Sequence, residues 1–121
     1  MNGKRVLIIE DDLDNTTLLR IVLEREQYEV ICAQDGQDGV LAARASRPDL
    51  IVLDLDMPRL NGWDVLKQIK NDRKMKPIPI VVVTAHLMKD ERNKVYAAGG
   101  AGYVQKPFGI QELVEEIQRL L

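Results

Sequence analysis

At 121 residues the chain is sized for one domain with a real hydrophobic core. Its content, 45% hydrophobic and 30% charged, is ordinary for a soluble globular protein. Seventeen basic against nineteen acidic residues leave a net charge of -2, with no basic stripe that would favour nucleic acid and no acidic tail that would favour disorder.

The N-terminus, Met1 to Arg5, leads into a strand within a few residues and offers no signal-peptide cleavage site. Val6 to Ile9 is the first predicted strand. Asp12 or Asp14 is placed to cap the helix after it, with Leu18, Ile21 and Val22 at inward spacing. Tyr28 to Ala33 alternates and reads as a second strand nearer an edge, with Cys32, the single cysteine, expected as a buried, inert thiol. Asp35-Gly36 turns the chain into a helix carrying Val40, Leu41 and Ala45, which stops before Pro48.

Leu50 to Leu53 is apolar without interruption, as a strand covered on both faces should be. A helix from about Trp63 to Lys70 presents Val65, Leu66 and Ile69, and Trp63 reads as packing. Pro77 and Pro79 break the charged connection to a fourth strand, Ile80 to Val83. The next helix, from about Met88 to Ala98, ends at Gly99-Gly100, where a glycine takes the left-handed cap. Its charged run Lys89-Asp90-Glu91-Arg92 reads most simply as a solvated face. Tyr103-Val104 is a short fifth strand, and Ile110, Leu113, Val114, Ile117 and Leu120 line a final helix. Strict alternation of five strands and five helices predicts an α/β fold, a doubly wound parallel sheet with helices on both faces. No apolar run approaches the roughly 18 residues that span a bilayer, and a cytoplasmic protein without membrane insertion is expected.

The ends of the predicted strands carry the chemistry. Glu10 and Asp11 follow the first, Asp54 the third, Thr84 the fourth and Lys106 the fifth. In an open parallel sheet all of them collect at the carboxyl edge, where ligands bind. Magnesium takes oxygen ligands, keeps several waters and is commonly held by one or two carboxylates plus phosphate, so Glu10, Asp11 and Asp54 suit Mg2+. Asp54 then has the makings of a carboxylate nucleophile forming an acyl phosphate. Lys106 suits pairing with a phosphoryl oxygen, Thr84 suits donation to another, and Ala85 is small enough to leave room. Asp12 is left out of the metal set as a helix cap.

Four segments together, Ile9-Glu10-Asp11-Asp12, Asp54-Leu55-Asp56-Met57-Pro58 with Gly62, Val83-Thr84-Ala85 and Lys106-Pro107-Phe108, resemble those of response-regulator receiver domains of two-component signalling. The resemblance runs from Val6 to Leu121 and implies a single receiver domain over 1–121 with a flavodoxin-like sheet in the order 2-1-3-4-5. It implies that Asp54 is the phosphoacceptor, served by a sensor histidine kinase or histidine phosphotransfer protein. It makes the backbone carbonyl of Asp56 a further Mg2+ ligand and Thr84 a switch hydroxyl. Tyr103, a core residue on spacing alone, becomes an aromatic that turns inward, and the Lys106–Pro107 bond is expected to be cis. Asp56 and His86, two residues after Asp54 and Thr84, are candidates for tuning the lifetime of the phosphoryl group. The output face is expected on the fourth helix, fifth strand and fifth helix, and the kinase-docking edge on the first helix. The downstream target is not readable from the sequence.

A rival reading starts from Asp54-Leu55-Asp56, which also resembles the nucleophile–acid pair of haloacid-dehalogenase-type phosphatases. That pair normally follows a first strand, whereas here it follows the third. The chain has no room for a substrate-selecting cap, and no acidic pair trails Lys106 to complete the metal site. A flavin or nucleotide site lacks its Gly/Ser/Thr-rich loop after the first strand, where Glu10, Asp11 and Asp12 would repel phosphate unless a metal intervened. His86, the only histidine, reads on its own as an exposed loop residue.

Overall fold

The computed structural model describes residues 3–57, 61–85, 90–106 and 109–121. Five parallel strands, β1 (Arg5–Ile9), β2 (Glu29–Ala33), β3 (Leu50–Asp54), β4 (Ile80–Thr84) and β5 (Gly102–Gln105), form one sheet in the order β2-β1-β3-β4-β5. The helices between and after them are α1 (Leu13–Arg25), α2 (Gly36–Ser46), α3 (Gly62–Lys70), α4 (Glu91–Ala97) and α5 (Ile110–Leu120). This is the flavodoxin-like order expected from the sequence.

β-strand side chains alternate between faces, so one strand feeds two cores. Val6 and Ile8 of β1 pack with Leu19, Leu23, Leu113, Val114 and Ile117 from α1 and α5. Leu7 and Ile9 pack with Val40, Ala43, Val65, Leu66, Ile69 and Val95 from α2, α3 and α4. β3 and β4 are buried at every position, as their continuous apolar runs require. Each fully buried Leu or Ile contributes about 1.5–3 kcal/mol through removal from water.

The helix starts follow local capping chemistry. Asp12 rather than Asp14 caps α1, its Oδ1 accepting from the amides of Asp14 (2.9 Å) and Asn15 (3.3 Å). Asp35 caps α2 by accepting from Asp38 N (2.7 Å), and Asn61 caps α3 by accepting from Asp64 N (3.0 Å). α4 closes as expected with Gly99 in the left-handed region (φ 102). Its amide donates to Tyr96 O (3.1 Å) and that of Gly100 to Val95 O (2.9 Å), the paired bonds of a Schellman cap. The connection from α3 to β4 is tied down by Lys70, whose ammonium donates to the carbonyls of Lys76 (2.9 Å) and Ile78 (2.7 Å).

Several inward assignments were misplaced. Leu18 and Ile21 are 47% and 45% exposed, while Thr16, Leu19 and Leu23 form the buried stripe of α1 and Val22 packs beside it. α1 has apolar residues around most of its circumference, so spacing alone did not fix its phase. In α2, Leu41 is 56% exposed and Ala45 is exposed, because the buried face runs through Gly36, Gly39, Val40 and Ala43. Gly39 is what brings α2 close, since a Cβ there would lie 2.6 Å from Ile9 Cδ1. Leu120 is only partly buried. Cys32 is likewise part-exposed, and Arg20 Nη2 lies 3.3 Å from its sulfur. Of the helix expected from Met88, the stretch 86–89 lies outside the described residues. Among the described residues no helix is long and apolar enough to cross a membrane.

Candidate functional site at the carboxyl edge of the sheet

The register explains why the site residues meet. Ile9 pairs with Leu53, and Asp54 pairs with Val83. Glu10, Asp54 and Thr84 therefore leave the three central strands at nearly one level, with Lys106 one residue past the end of β5. Asp54 is 3% exposed and Glu10 5%, while Asp11 is exposed. One oxygen from each of Glu10, Asp11 and Asp54 lies within 4.8 Å of the others.

Lys106 reaches into this cluster. Its Nζ is 3.1 Å from Asp54 Oδ2 and 3.5 Å from Glu10 Oε1. Asp54 Oδ1 accepts the amide of Asp56 at 2.8 Å, so both oxygens of this carboxylate are held. Burial works against ionisation of Asp54. The hydrogen bond shared with Glu10, the Asp56 amide and Lys106 outweigh it and keep this carboxyl below its usual range. Burial also works against the Lys106 ammonium, but its bonds to Asp54 and Glu10 raise its pKa overall.

Glu10 takes the other half of the arrangement. Burial first, then the hydrogen bond and charge of neighbouring Asp54, push it up to about 8, against the smaller opposing pull of Asn15 and Lys106. Asn15 Nδ2 donates to Glu10 Oε1 at 3.2 Å. Among the described residues, no N–H or O–H group donates to the buried Glu10 Oε2. An orphaned carboxylate oxygen next to two further acids is satisfied by a proton or by a cation. An all-oxygen donor set of this kind suits a hard divalent ion, so these residues fit Mg2+.

The metal-free protein carries a pH signature of this site. Between about 4.5 and about 8 unfolding releases a proton from Glu10 that the folded chain retains, so Glu10 makes stability fall as pH rises through that window. Glu10→Gln cannot titrate. In EDTA, thermal unfolding from pH 5 to pH 8 is expected to show wild type losing stability relative to Glu10→Gln. A constant difference across the window would contradict this.

Asp56 points its carboxylate at the neighbouring strand end. Its Oδ1 accepts from Thr84 Oγ1 (3.3 Å) and its Oδ2 from the amide of Ala85 (2.8 Å). Tyr103 is half-buried beneath α4, with its hydroxyl 3.4 Å from Glu91 Oε1 and the Arg92 guanidinium 5.3 Å from its ring centroid. Burial and the charge of Glu91 hold its phenol above the usual value. Glu91 is 3% exposed, which corrects the expectation of a solvated face for that position.

The structure thus brings together Glu10, Asp11, Asp54, Asp56, Thr84, Ala85 and Lys106, while Tyr103 stands one layer away. His86 and the Lys106–Pro107 bond lie outside the described residues. Sequence reasoning missed Asn15 and Glu91. Asn15 gives only a helix-start signal, and Glu91 was concealed within a charged run.

Comparison with known proteins places these features in a family context. The model of the response regulator receiver domain matches residues 6–118. The polar-differentiation response regulator DivK of Brucella anthropi is 35% identical over 118 residues, spanning 98% of this chain and 96% of that protein. Among solved structures, chemotaxis protein CheY4 of Vibrio cholerae superposes with a TM-score of 0.91 at 28% identity, covering 98% of this chain and 99% of that one. The receiver domain of sensor histidine kinase PA1611 from Pseudomonas aeruginosa superposes with a TM-score of 0.87 at 30% identity, covering 98% and 97% of the two chains. That structure has a magnesium ion coordinated in its active site cleft.

Proposed function

The chain belongs to the response regulator receiver domain family, and from that premise we propose that it is a phosphorylation-dependent switch with Asp54 as acceptor. Receiver domains are signalling switches rather than classical enzymes, and they work with histidine kinases or phosphotransfer proteins. The observation that carries the proposal is a buried carboxylate kept ionised beside Lys106 and two further acids. Ionised and stripped of most water, Asp54 is poised to attack phosphorus.

In the proposed reaction an Asp54 oxygen forms the new bond to phosphorus as the donor's phosphorus–nitrogen bond breaks, and the electron pair leaves with the imidazole. Glu10, Asp11, Asp54 and the Asp56 backbone carbonyl would hold Mg2+. Bound there, Mg2+ supplies charge neutralisation for the acids and polarisation of a phosphoryl oxygen. Lys106 pairs with a second phosphoryl oxygen, and Thr84 and the Ala85 amide donate to the third. Asp56 and His86 would set how long the group persists.

The new group carries nearly two negative charges and three acceptor oxygens. Drawn toward it, Thr84 vacates space behind it into which Tyr103 turns, releasing Glu91. The surface formed by α4, β5 and α5 then changes its affinity for a protein target, as far as the phosphoryl group favours that conformation. The start of α1 is the proposed docking edge for the kinase or phosphotransfer protein.

Intact-protein mass after incubation with acetyl phosphate tests this. One phosphoryl group per chain, requiring Mg2+, is the expected result. Absence of an adduct with both acetyl phosphate and a phosphohistidine donor would overturn it. Continuous hydrolysis of small phosphate esters would favour the phosphatase that Asp54 and Asp56 also suggest.

A further inference from the structure

Thr84 and Ala85 present the two donors that a phosphoryl group on Asp54 would need, and both already bond to one carboxylate. Asp56 Oδ1 takes the Thr84 hydroxyl at 3.3 Å and Oδ2 takes the Ala85 amide at 2.8 Å. Thr84 is fully buried, so its hydroxyl depends on protein partners rather than bulk water. The amide of Asp56 is bonded to Asp54 Oδ1 at 2.8 Å, which fixes this bridge directly alongside the acceptor. A hydroxyl and an amide have one proton each to give. A phosphoryl group and the Asp56 carboxylate therefore compete for the same two protons, and as anions they also repel.

We infer that Asp56 is an internal stand-in for the phosphoryl group, a latch that holds Thr84 and Ala85 in the unmodified arrangement and must be displaced when Asp54 is modified. The inference rests on Asp54 being the acceptor and deepens that reading. Asp56 acts through Thr84 and Ala85 and is a positioning residue. The latch weakens phosphoryl capture by the free energy of its own two bonds. It also keeps the hydroxyl from adopting the switched position when no phosphoryl group is present.

Affinity for beryllofluoride, a phosphoryl mimic, measured with Mg2+ by titration calorimetry, separates the possibilities. Asp56→Ala is expected to bind about 3- to 10-fold more tightly than wild type. Asp56→Asn retains the shape but only one acceptor oxygen, and is expected to fall between them. Removal of a nearby negative charge would by itself tighten binding, so the decisive measurement is a double-mutant cycle with Thr84→Val. If Asp56 works by occupying the hydroxyl, Thr84→Val weakens binding more in the Asp56→Ala background than in wild type. Additive effects, or unchanged affinity in Asp56→Ala, would overturn the latch while leaving the acceptor reading standing. Binding that is absent in wild type, or indifferent to Asp54→Asn, would overturn the acceptor reading and the latch with it.

Discussion

Asp54→Asn is expected to lower phosphoryl incorporation from acetyl phosphate by about a hundredfold or more, to the background of the mass measurement. The substitution is nearly isosteric, and the Asn carbonyl oxygen can still accept the Asp56 amide that Asp54 accepts at 2.8 Å. What is lost is the ionised oxygen proposed to attack phosphorus and the anion that Lys106 pairs with at 3.1 Å. The fold should survive, because Glu10 is relieved of the neighbour whose hydrogen bond and charge raise its pKa. Thermal unfolding unchanged or higher, together with absent incorporation, is the combined expectation. An adduct of full yield in Asp54→Asn would move the acceptor to another carboxylate of the cluster.

Gly62→Ala is expected to have the largest effect on stability. Its added Cβ would lie 2.4 Å from Leu55 Cα and 2.7 Å from Asp54 O. Both are backbone atoms at the end of β3 that carries Asp54, so no side chain can swing aside to make room. Gly62 also donates its amide to Leu55 O at 3.4 Å, directly after the Asn61 cap of α3. Overpacking of this kind costs about 1–3 kcal/mol and occasionally more. For a domain of this size that corresponds to a fall in Tm of about 5–15 °C. Gly109→Ser provides the comparison, since none of the described residues lies within 4 Å of a Cβ there and serine suits a helix N-cap. Equal melting temperatures for Gly62→Ala and wild type would show that α3 sits farther from β3 than the structure has it.

Residues whose burial is dictated by the sheet were easiest to read from the sequence. Leu50 to Leu53 and Ile80 to Val83 have no polar face, which forces them into central strands and sets Asp54 and Thr84 at one edge. The amphipathic stripe of α5 was also clear, with Leu113, Val114 and Ile117 buried as spaced. α1 was harder because its apolar residues run around most of its circumference, and α2 because packing selects small residues there. Thr16, Gly36, Gly39 and Ala43 face the sheet while Leu18 and Leu41 face solvent. A hydrophobicity pattern favours large residues and gives the wrong phase in such helices. At the site, Glu10, Asp11 and Asp54 were legible because acids at strand ends have few other reasons to cluster. The bonds from Thr84 and Ala85 to Asp56 were not, since they depend on the path of two loops across the sheet edge. Glu91 is the clearest omission. A glutamate in a charged run reads as solvated unless the approach of a tyrosine from another strand is known.

The strand order β2-β1-β3-β4-β5 also dictates a sequence of events on the ribosome. No two neighbouring strands form a hairpin, so every pairing waits for a crossover helix to emerge. β1 gains both of its neighbours once β3 has emerged, while Lys106 has still to do so. From that moment Glu10 and Asp54 can face each other across the first three strands. Their cation arrives with Lys106, more than fifty residues later. Domains can begin to fold while synthesis proceeds at about 5–20 residues per second. The nascent half-sheet therefore waits seconds for that ammonium, and until then the proton that burial and Asp54 keep on Glu10 spares it two facing carboxylates.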